Sequence, residues 1–331
     1  MSKFFNKLDM KKLILLIALL VVSLTSLAQD AEEKEGLKDG WSKGGNISLL
    51  FNQAAFNHEW TGGGVSNIAG NLAISYDMNY KKGKISWDNK LLADYGLTKL
   101  KSDDFTRKTN DRLELNSLVG KQIKESLWYL SAFMNFKTQM DSGYEDTDTP
   151  VLDSNGDPLV DASGATIFET TRDKTTHFFS PAYLQVGPGL LWKKSDNLKV
   201  NIAPLTSKLI FVHDEFTNVG NDPEAIRAFN AAGGYFGVEA NETSRYEFGA
   251  SVSAYAKFNL MANISLENIL NLYSNYLEDP QNVDVDYMAN LVMSVNNWVT
   301  VNIAFQAIYD DNAVKGFQIR EALGVGVTHK F

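Results

Sequence analysis

Residues 317–331 read FQIREALGVGVTHKF. Phe317, Ile319, Leu323, Val325, Val327 and Phe331 share one parity, while Gln318, Arg320, Gly324, Gly326, Thr328 and Lys330 fill the other. Successive side chains of a strand point to opposite faces, so this stretch has one oily face, one polar face and a terminal aromatic. Strands with apolar residues toward lipid and polar residues toward a lumen build outer-membrane barrels. The stretch therefore predicts an all-β chain, a transmembrane antiparallel up-and-down β-barrel.

Moving back along the chain, the same period of two recurs. Ile68, Gly70, Leu72, Ile74, Tyr76, Met78 and Tyr80 oppose Ala69, Asn71, Ala73, Ser75, Asp77 and Asn79. Trp87, Leu91, Ala93, Tyr95 and Leu97 oppose Asp88, Lys90, Asp94 and Thr98; Leu113, Leu115 and Val119 oppose Arg112, Glu114 and Asn116. About twelve strands follow, at 45–56, 66–80, 84–98, 111–123, 127–140, 177–192, 198–206, 245–259, 261–275, 283–296, 299–310 and 317–331. Ten or fourteen are the alternatives, since an even number is expected. Connections after even-numbered strands are short, and those after odd-numbered strands are mostly long, with strand regularity lost across 141–176 and 207–244. That asymmetry separates periplasmic turns from extracellular loops and puts both termini in the periplasm. A soluble β-sandwich competes, but its strands average about 5–6 residues, shorter than these.

The first 28 residues read as a secretory signal peptide. Lys3, Lys7, Lys11 and Lys12 precede an apolar run from Leu13 to Leu24, and Ser26-Leu27-Ala28 supplies the small residues for cleavage. Residues 29–44 form an acidic periplasmic lead-in, and 45–331 form the barrel. Four leader lysines against Asp9 sum to +3, so cleavage takes the net charge from −9 to −12. So acidic a chain is a poor partner for nucleic acid. With no Cys, disulfides, thiolate metal sites and cysteine nucleophiles are excluded. No cofactor is expected, and the lipid of a Gram-negative outer membrane is the expected surrounding.

Gly40-Trp41, Asn52-Gln53, Trp60-Thr61-Gly62-Gly63, Trp87-Asp88-Asn89, Tyr95-Gly96, Arg107 to Arg112, Asn135 to Gln139, Ser180-Pro181-Ala182-Tyr183, Ala203 to Thr206 and Tyr273 to Tyr276 occur in this order. Together they resemble the DUF3078 group of Bacteroidetes exported proteins, a family of unknown function. The resemblance implies an outer-membrane setting without an assigned activity. The terminal Phe331 likewise looks like the signal by which barrels are handed to their assembly machinery.

Asp88, Lys90, Asp94, Arg112 and Glu114 share the inward parity and are the candidate lumen-lining residues. They would select a solute by charge, or brace and close a small barrel as an ion-pair network. Other groups read as structural. His58 and Glu59 sit beside Trp60 and the glycines 62–64, a loop tip. His213-Asp214-Glu215 offers metal ligands, but no second His is near in sequence and adjacent side chains diverge, which favours a solvated edge. Asp153, Asn155 and Asp157 have calcium-loop spacing, yet Pro158 replaces the required Gly, so Asn155-Gly156 is read as a hairpin turn. The tryptophans Trp128, Trp192 and Trp298, near short turns, are expected in an interfacial girdle.

The expected role is a narrow diffusion channel or solute-specific pore. The alternative is a non-channel envelope component binding a partner or surface polymer through its long loops. A lipid hydrolase is a third reading, for which His177 and Ser180 supply no convincing triad; the protein is not expected to be an enzyme.

Overall fold

The computed structural model describes residues 39–55, 65–101, 103, 105–162, 164–310 and 314–331. The leader, most of the lead-in and the His58 to Gly64 loop tip lie outside the described residues. Strands run as β1 (Gly40–Ala54), β2 (Asn67–Lys82), β3 (Ile85–Leu100), β4 (Arg107–Gln122), β5 (Trp128–Thr138), β6 (Gly143–Pro150), β7 (Phe168–Thr176), β8 (Ala182–Ser195), β9 (Leu198–Phe211), β10 (Ser244–Met261), β11 (Ile264–Asn275), β12 (Asp284–Ser294), β13 (Val299–Asp310) and β14 (Val314–Lys330). The one α-helix among the described residues, α1 (Pro223–Ala231), starts behind the Asp222 N-cap, whose side chain accepts the Glu224 N–H.

Twelve strands close into an antiparallel barrel in the order β1-β2-β3-β4-β5-β8-β9-β10-β11-β12-β13-β14, and β6 pairs with β7 as a separate hairpin. The expected strand count and up-and-down order are borne out. Four differences in bounds bear on the architecture. The barrel begins at Gly40, because residues 40–44 of the expected lead-in pair with Lys81 to Asp77. Residues 177–181 stand outside β8: Phe179 adopts φ 62°, and Pro181 has no N–H to give a ladder. β9 continues to Phe211, past the expected end at 206, through a bulge at Pro204-Leu205. Strand structure returns within 141–176 as the β6–β7 hairpin, whose solvated sides carry no apolar parity.

Parity sorts the side chains as the sequence requires. Ile47, Leu49 and Phe51 on β1, Leu91 and Leu97 on β3, Leu115 and Val119 on β4, and Ile319, Leu323, Val325 and Val327 on β14 are exposed on the outer face. Ser48, Asp88, Glu114, Ser131, Asn201, Lys208, Glu247 and Thr300 are buried inside. This is an inverted protein, oily outside and polar within, and an apolar belt of such extent marks a surface made for contact with something apolar.

The two ends differ. At the end carrying the start of β1 and the end of β14, β2–β3, β8–β9 and β10–β11 are joined by two residues each. Aromatic rings gather at this end: Trp41 lies 5.1 Å from Tyr80 and 5.7 Å from Trp87, Trp128 is register partner of Trp192, and Trp298 stacks on His329 at 5.9 Å. Trp128, Trp192 and Trp298 thus stand beside the short connections, as expected. The ring closes where β14 meets β1, over six residue pairs from Asn46↔Lys330 to Phe51↔Val325, against fifteen between β1 and β2. Gly45 and Phe331 exchange both main-chain hydrogen bonds there, at 2.9 and 3.1 Å. Thr328 links Ser48 and Thr300 by hydroxyl contacts of 2.8 Å each, tying three strands together.

Candidate functional site

The interior is crossed by ion pairs stacked along the barrel axis. Nearest the short-turn end, Asp88 accepts from Lys193 at 2.9 Å and from Lys199 at 2.7 Å. These lysines sit on β8 and β9, so β3 is tied across the lumen rather than to a neighbour in the ring. One tier higher, Lys90 meets Glu267 at 3.3 Å and Asp77 at 3.5 Å, while Tyr255 donates its hydroxyl to Glu267 at 2.8 Å. Lys90 is on β3 and Glu267 on β11, six places apart in a ring of twelve and hence diametrically opposite.

In the third tier Arg112 grips Asp94 at 2.5 and 2.9 Å and approaches Glu114 at 3.5 Å. Its Nη1 also reaches Met288 Sδ at 3.4 Å, spanning the opposite strands β4 and β12. Lys137 on β5 meets Asp286 on β12 at 2.8 Å, and Gln306 donates to the same carboxylate at 2.9 Å. At the long-loop mouth Lys208 contacts Glu247 at 3.1 Å and Asp284 at 3.4 Å, with Arg245 holding Glu247 from the other side at 3.0 Å. Interior charge is affordable only when paired, and each of these cations has a carboxylate partner.

All five candidate lumen residues therefore project inward. Asp94, Arg112 and Glu114 come together, whereas Asp88 and Lys90 belong to separate tiers with partners on distant strands. Reading the sequence missed those partners. Inward parity was the available signal for Glu267 and Asp286, but the bulge at Pro204-Leu205 reverses the parity of β9 and hides Lys208. A cavity of about 310 Å³ lies in the lumen beside the lower tiers, bordered by Asp88, Lys90, Phe133, Asn201, Tyr255 and Lys257.

A cap stands at the long-loop end. It is welded from the β6–β7 hairpin and the segment 212–243, which carries a 3-10 turn at Asp214–Phe216 before α1. Ile210 of β9 joins Val212 and Val238 in the buried core that seats the cap on the barrel, packed by Tyr183 of β8, Tyr235 and Phe236. Phe216 stacks on Tyr235 at 4.7 Å, and Tyr235 donates its hydroxyl to the Thr175 carbonyl. Arg172 lies over the Phe105 ring at 4.0 Å and the Tyr144 ring at 4.5 Å while pairing with Asp146 at 2.8 Å. Asp141 sits where the hairpin leaves the barrel. The Tyr95 hydroxyl donated to it at 2.6 Å holds its carboxyl below the ordinary range.

Within this cap His177 Nε2 lies 2.9 Å from Glu215 Oε1, and the His177 and His213 rings meet edge-on at 4.9 Å. The chain thus brings a second histidine to the His213-Asp214-Glu215 group from 36 residues upstream, a convergence no local pattern announces. Ser180 is fully buried, and its hydroxyl oxygen accepts the His213 main-chain N–H at 3.0 Å rather than facing an imidazole. The Asp153 carboxylate accepts the Asp157 and Asn155 N–H groups at 3.0 and 2.8 Å, which holds its carboxyl below the usual range and makes 153–157 a turn.

A family model described as "Protein of unknown function (DUF3078)" matches residues 51–144, bearing out the resemblance read from the motifs. No curated protein matches the chain. Among solved structures, the chain is similar to the translocator domain of autotransporter NalP from Neisseria meningitidis, with a TM-score of 0.36 and 11% identity over 95% of this chain and 96% of that one. It is similar to the COG4313 outer membrane channel from Pseudomonas putida F1 at a TM-score of 0.36 and 11% identity, over 91% and 99% of the two chains. The NanC porin follows at a TM-score of 0.33 and 10% identity, over 86% and 97%.

Proposed function

We propose that this barrel spans a Gram-negative outer membrane with its short-turn end in the periplasm, that its lumen is closed to bulk solute, and that it acts through the cap as an envelope component binding a partner or surface polymer. The outward apolar belt and the aromatic cluster at the short-turn end support the membrane setting, since aromatic girdles mark the membrane–water boundary.

One observation carries the closed lumen. Lys90–Glu267 and Arg112–Met288 each join diametrically opposite strands, so contacts span the whole interior at two heights. A wide pore leaves its walls apart, whereas small barrels are filled by their own side chains. A narrow channel is the weaker reading because these contacts lie across the path an ion would take.

Planar-bilayer conductance of the refolded full chain tests the proposal. Silence from a folded barrel is expected. Steady conductance whose ion selectivity shifts when Asp88 and Asp94 are neutralised would overturn it in favour of a charge-selective pore.

A further inference from the structure

The cap places His177, His213 and Glu215 so that one ligand atom from each lies within 4.8 Å of the other two. Two imidazoles and a carboxylate form a known donor set for zinc, one that leaves a further coordination position open. At metal–ligand bonds of about 2.0–2.1 Å the donors of a tetrahedral site stand about 3.3 Å apart, so modest side-chain turns bring this trio into place. Its third contact is already that short: His177 Nε2 and Glu215 Oε1 are 2.9 Å apart.

Two further features favour a metal over a plain ion pair. His177 Nδ1 lies 2.6 Å from the carbonyl oxygen of Phe178, a distance at which Nδ1–H donates. In the neutral ring that donation leaves the Nε2 lone pair aimed at the cluster, and metal-binding histidines are oriented in this manner by a carbonyl behind them. The framework is also rigid. His213 is fixed through its main-chain N–H to buried Ser180, and His177 and Ser180 exchange main-chain hydrogen bonds at 3.0 and 2.9 Å. Phe216, next to Glu215, is held between the His177 ring at 5.5 Å and Tyr235.

Lys174 now occupies the carboxylate, with its Nζ 2.8 Å from Glu215. This cation is a competitor that the metal must displace. Lys174 is long and partly exposed and has the face of Phe216 within 5.8 Å, so it has somewhere to go. Asp214 Oδ1 lies 3.0 Å from His213 Nδ1, against the same imidazole.

We propose that His177, His213 and Glu215 form a binding site for one divalent transition-metal ion of the zinc class on the outer cap. The site joins the β7–β8 connection to the 212–243 segment, so the ion would cross-link the two halves of the cap. Its open position faces solvent, where a carboxylate or imidazole of a binding partner would complete the shell. The assignment does not depend on whether the lumen conducts.

The test is calorimetric titration of Zn²⁺ into the refolded, chelator-treated full chain in detergent, with Co²⁺ absorption as a second readout. One equivalent is expected to bind, and excess Ca²⁺ or Mg²⁺ should not compete, because these ions prefer all-oxygen sites. His177→Ala and His213→Ala should each weaken binding at least tenfold, while Lys174→Met, which removes the competing cation, should tighten it. Migration of the unheated barrel on SDS gels confirms folding of each variant. Absence of saturable Zn²⁺ binding in both wild type and Lys174→Met would overturn the proposal and leave a His177–Glu215 ion pair. Wild-type affinity in folded His177→Ala and His213→Ala would overturn it equally.

Discussion

Replacing Lys90 by Met and Glu267 by Gln, singly and together, measures whether opposite walls of the barrel are joined. Lys90 Nζ is 3.3 Å from Glu267 Oε1, and the two side chains are 18% and 20% exposed. At an effective dielectric of about 20 this distance gives roughly 5 kcal/mol of gross attraction. Desolvation of both groups offsets more than half of it, leaving an expected coupling of about 2 kcal/mol. Lys90→Met alone leaves the Glu267 carboxylate without its close cation, with the Tyr255 hydroxyl at 2.8 Å as its remaining hydrogen bond, and should cost about 3 kcal/mol. The double variant should cost clearly less than the sum of the singles. Urea unfolding in lipid vesicles, followed by tryptophan fluorescence, supplies the free energies for the double-mutant cycle. Effects that add to within about 0.5 kcal/mol would refute a bridge across the lumen. Bilayer recordings of the same double variant, with one tier of braces gone, should show conductance events absent from wild type.

Two more outcomes follow from the geometry. A Cβ on Gly326 would sit 1.9 Å from the Leu49 carbonyl oxygen and 2.7 Å from Leu50 Cα, both main-chain atoms that cannot yield, so Gly326→Val should abolish the heat-modifiable folded band. Gly316→Ala, whose Cβ meets nothing within 4 Å, should fold normally; equal behaviour of the two would contradict the seam packing. For Asp141, a lowered folded-state pKa means that its contribution is complete above the ordinary value of 3.8 and disappears as pH falls through the lowered one. Pepsin cleavage within 141–176 should therefore rise as the pH drops below that value, with a midpoint moved upward in Tyr95→Phe. Identical midpoints would remove the hydroxyl as the cause.

Most strands were legible because each presents two chemically different faces to two different surroundings. Residues 317–331 show this at its clearest, and β14 carries Ile319, Leu323, Val325 and Val327 outward as their parity demands. Legibility failed where that contrast vanished. The β6–β7 hairpin, GYEDTDTP against FETTRDKTT, meets water on both sides and so has no oily parity to read. In β9 the inward residues run Asn201, Ala203, then Thr206, Lys208 and Ile210, because the bulge inserts a step; a strict period of two ends the strand at that point. The lumen charges on β3 and β4 were visible one strand at a time, but which carboxylate answers which cation depends on distance across the ring. The same holds for His177 and His213, which come together only once the cap has folded.

The brief ladder between β1 and β14 bears on how the molecule is made. Eleven of the twelve strand contacts join barrel strands consecutive along the chain, so they can form step by step as the polypeptide is delivered. The twelfth joins Ser48 to Thr328, a sequence separation of 280. Closing so large a loop is the slowest kind of contact to make, and it waits for the last residues to arrive. Until then β1 and β13 each present an open edge, able to pair with a foreign strand. Assembly of this barrel is therefore expected to hold a long-lived, unclosed state whose completion is a zippering of six residue pairs, and the lifetime of that state is set at the C-terminus.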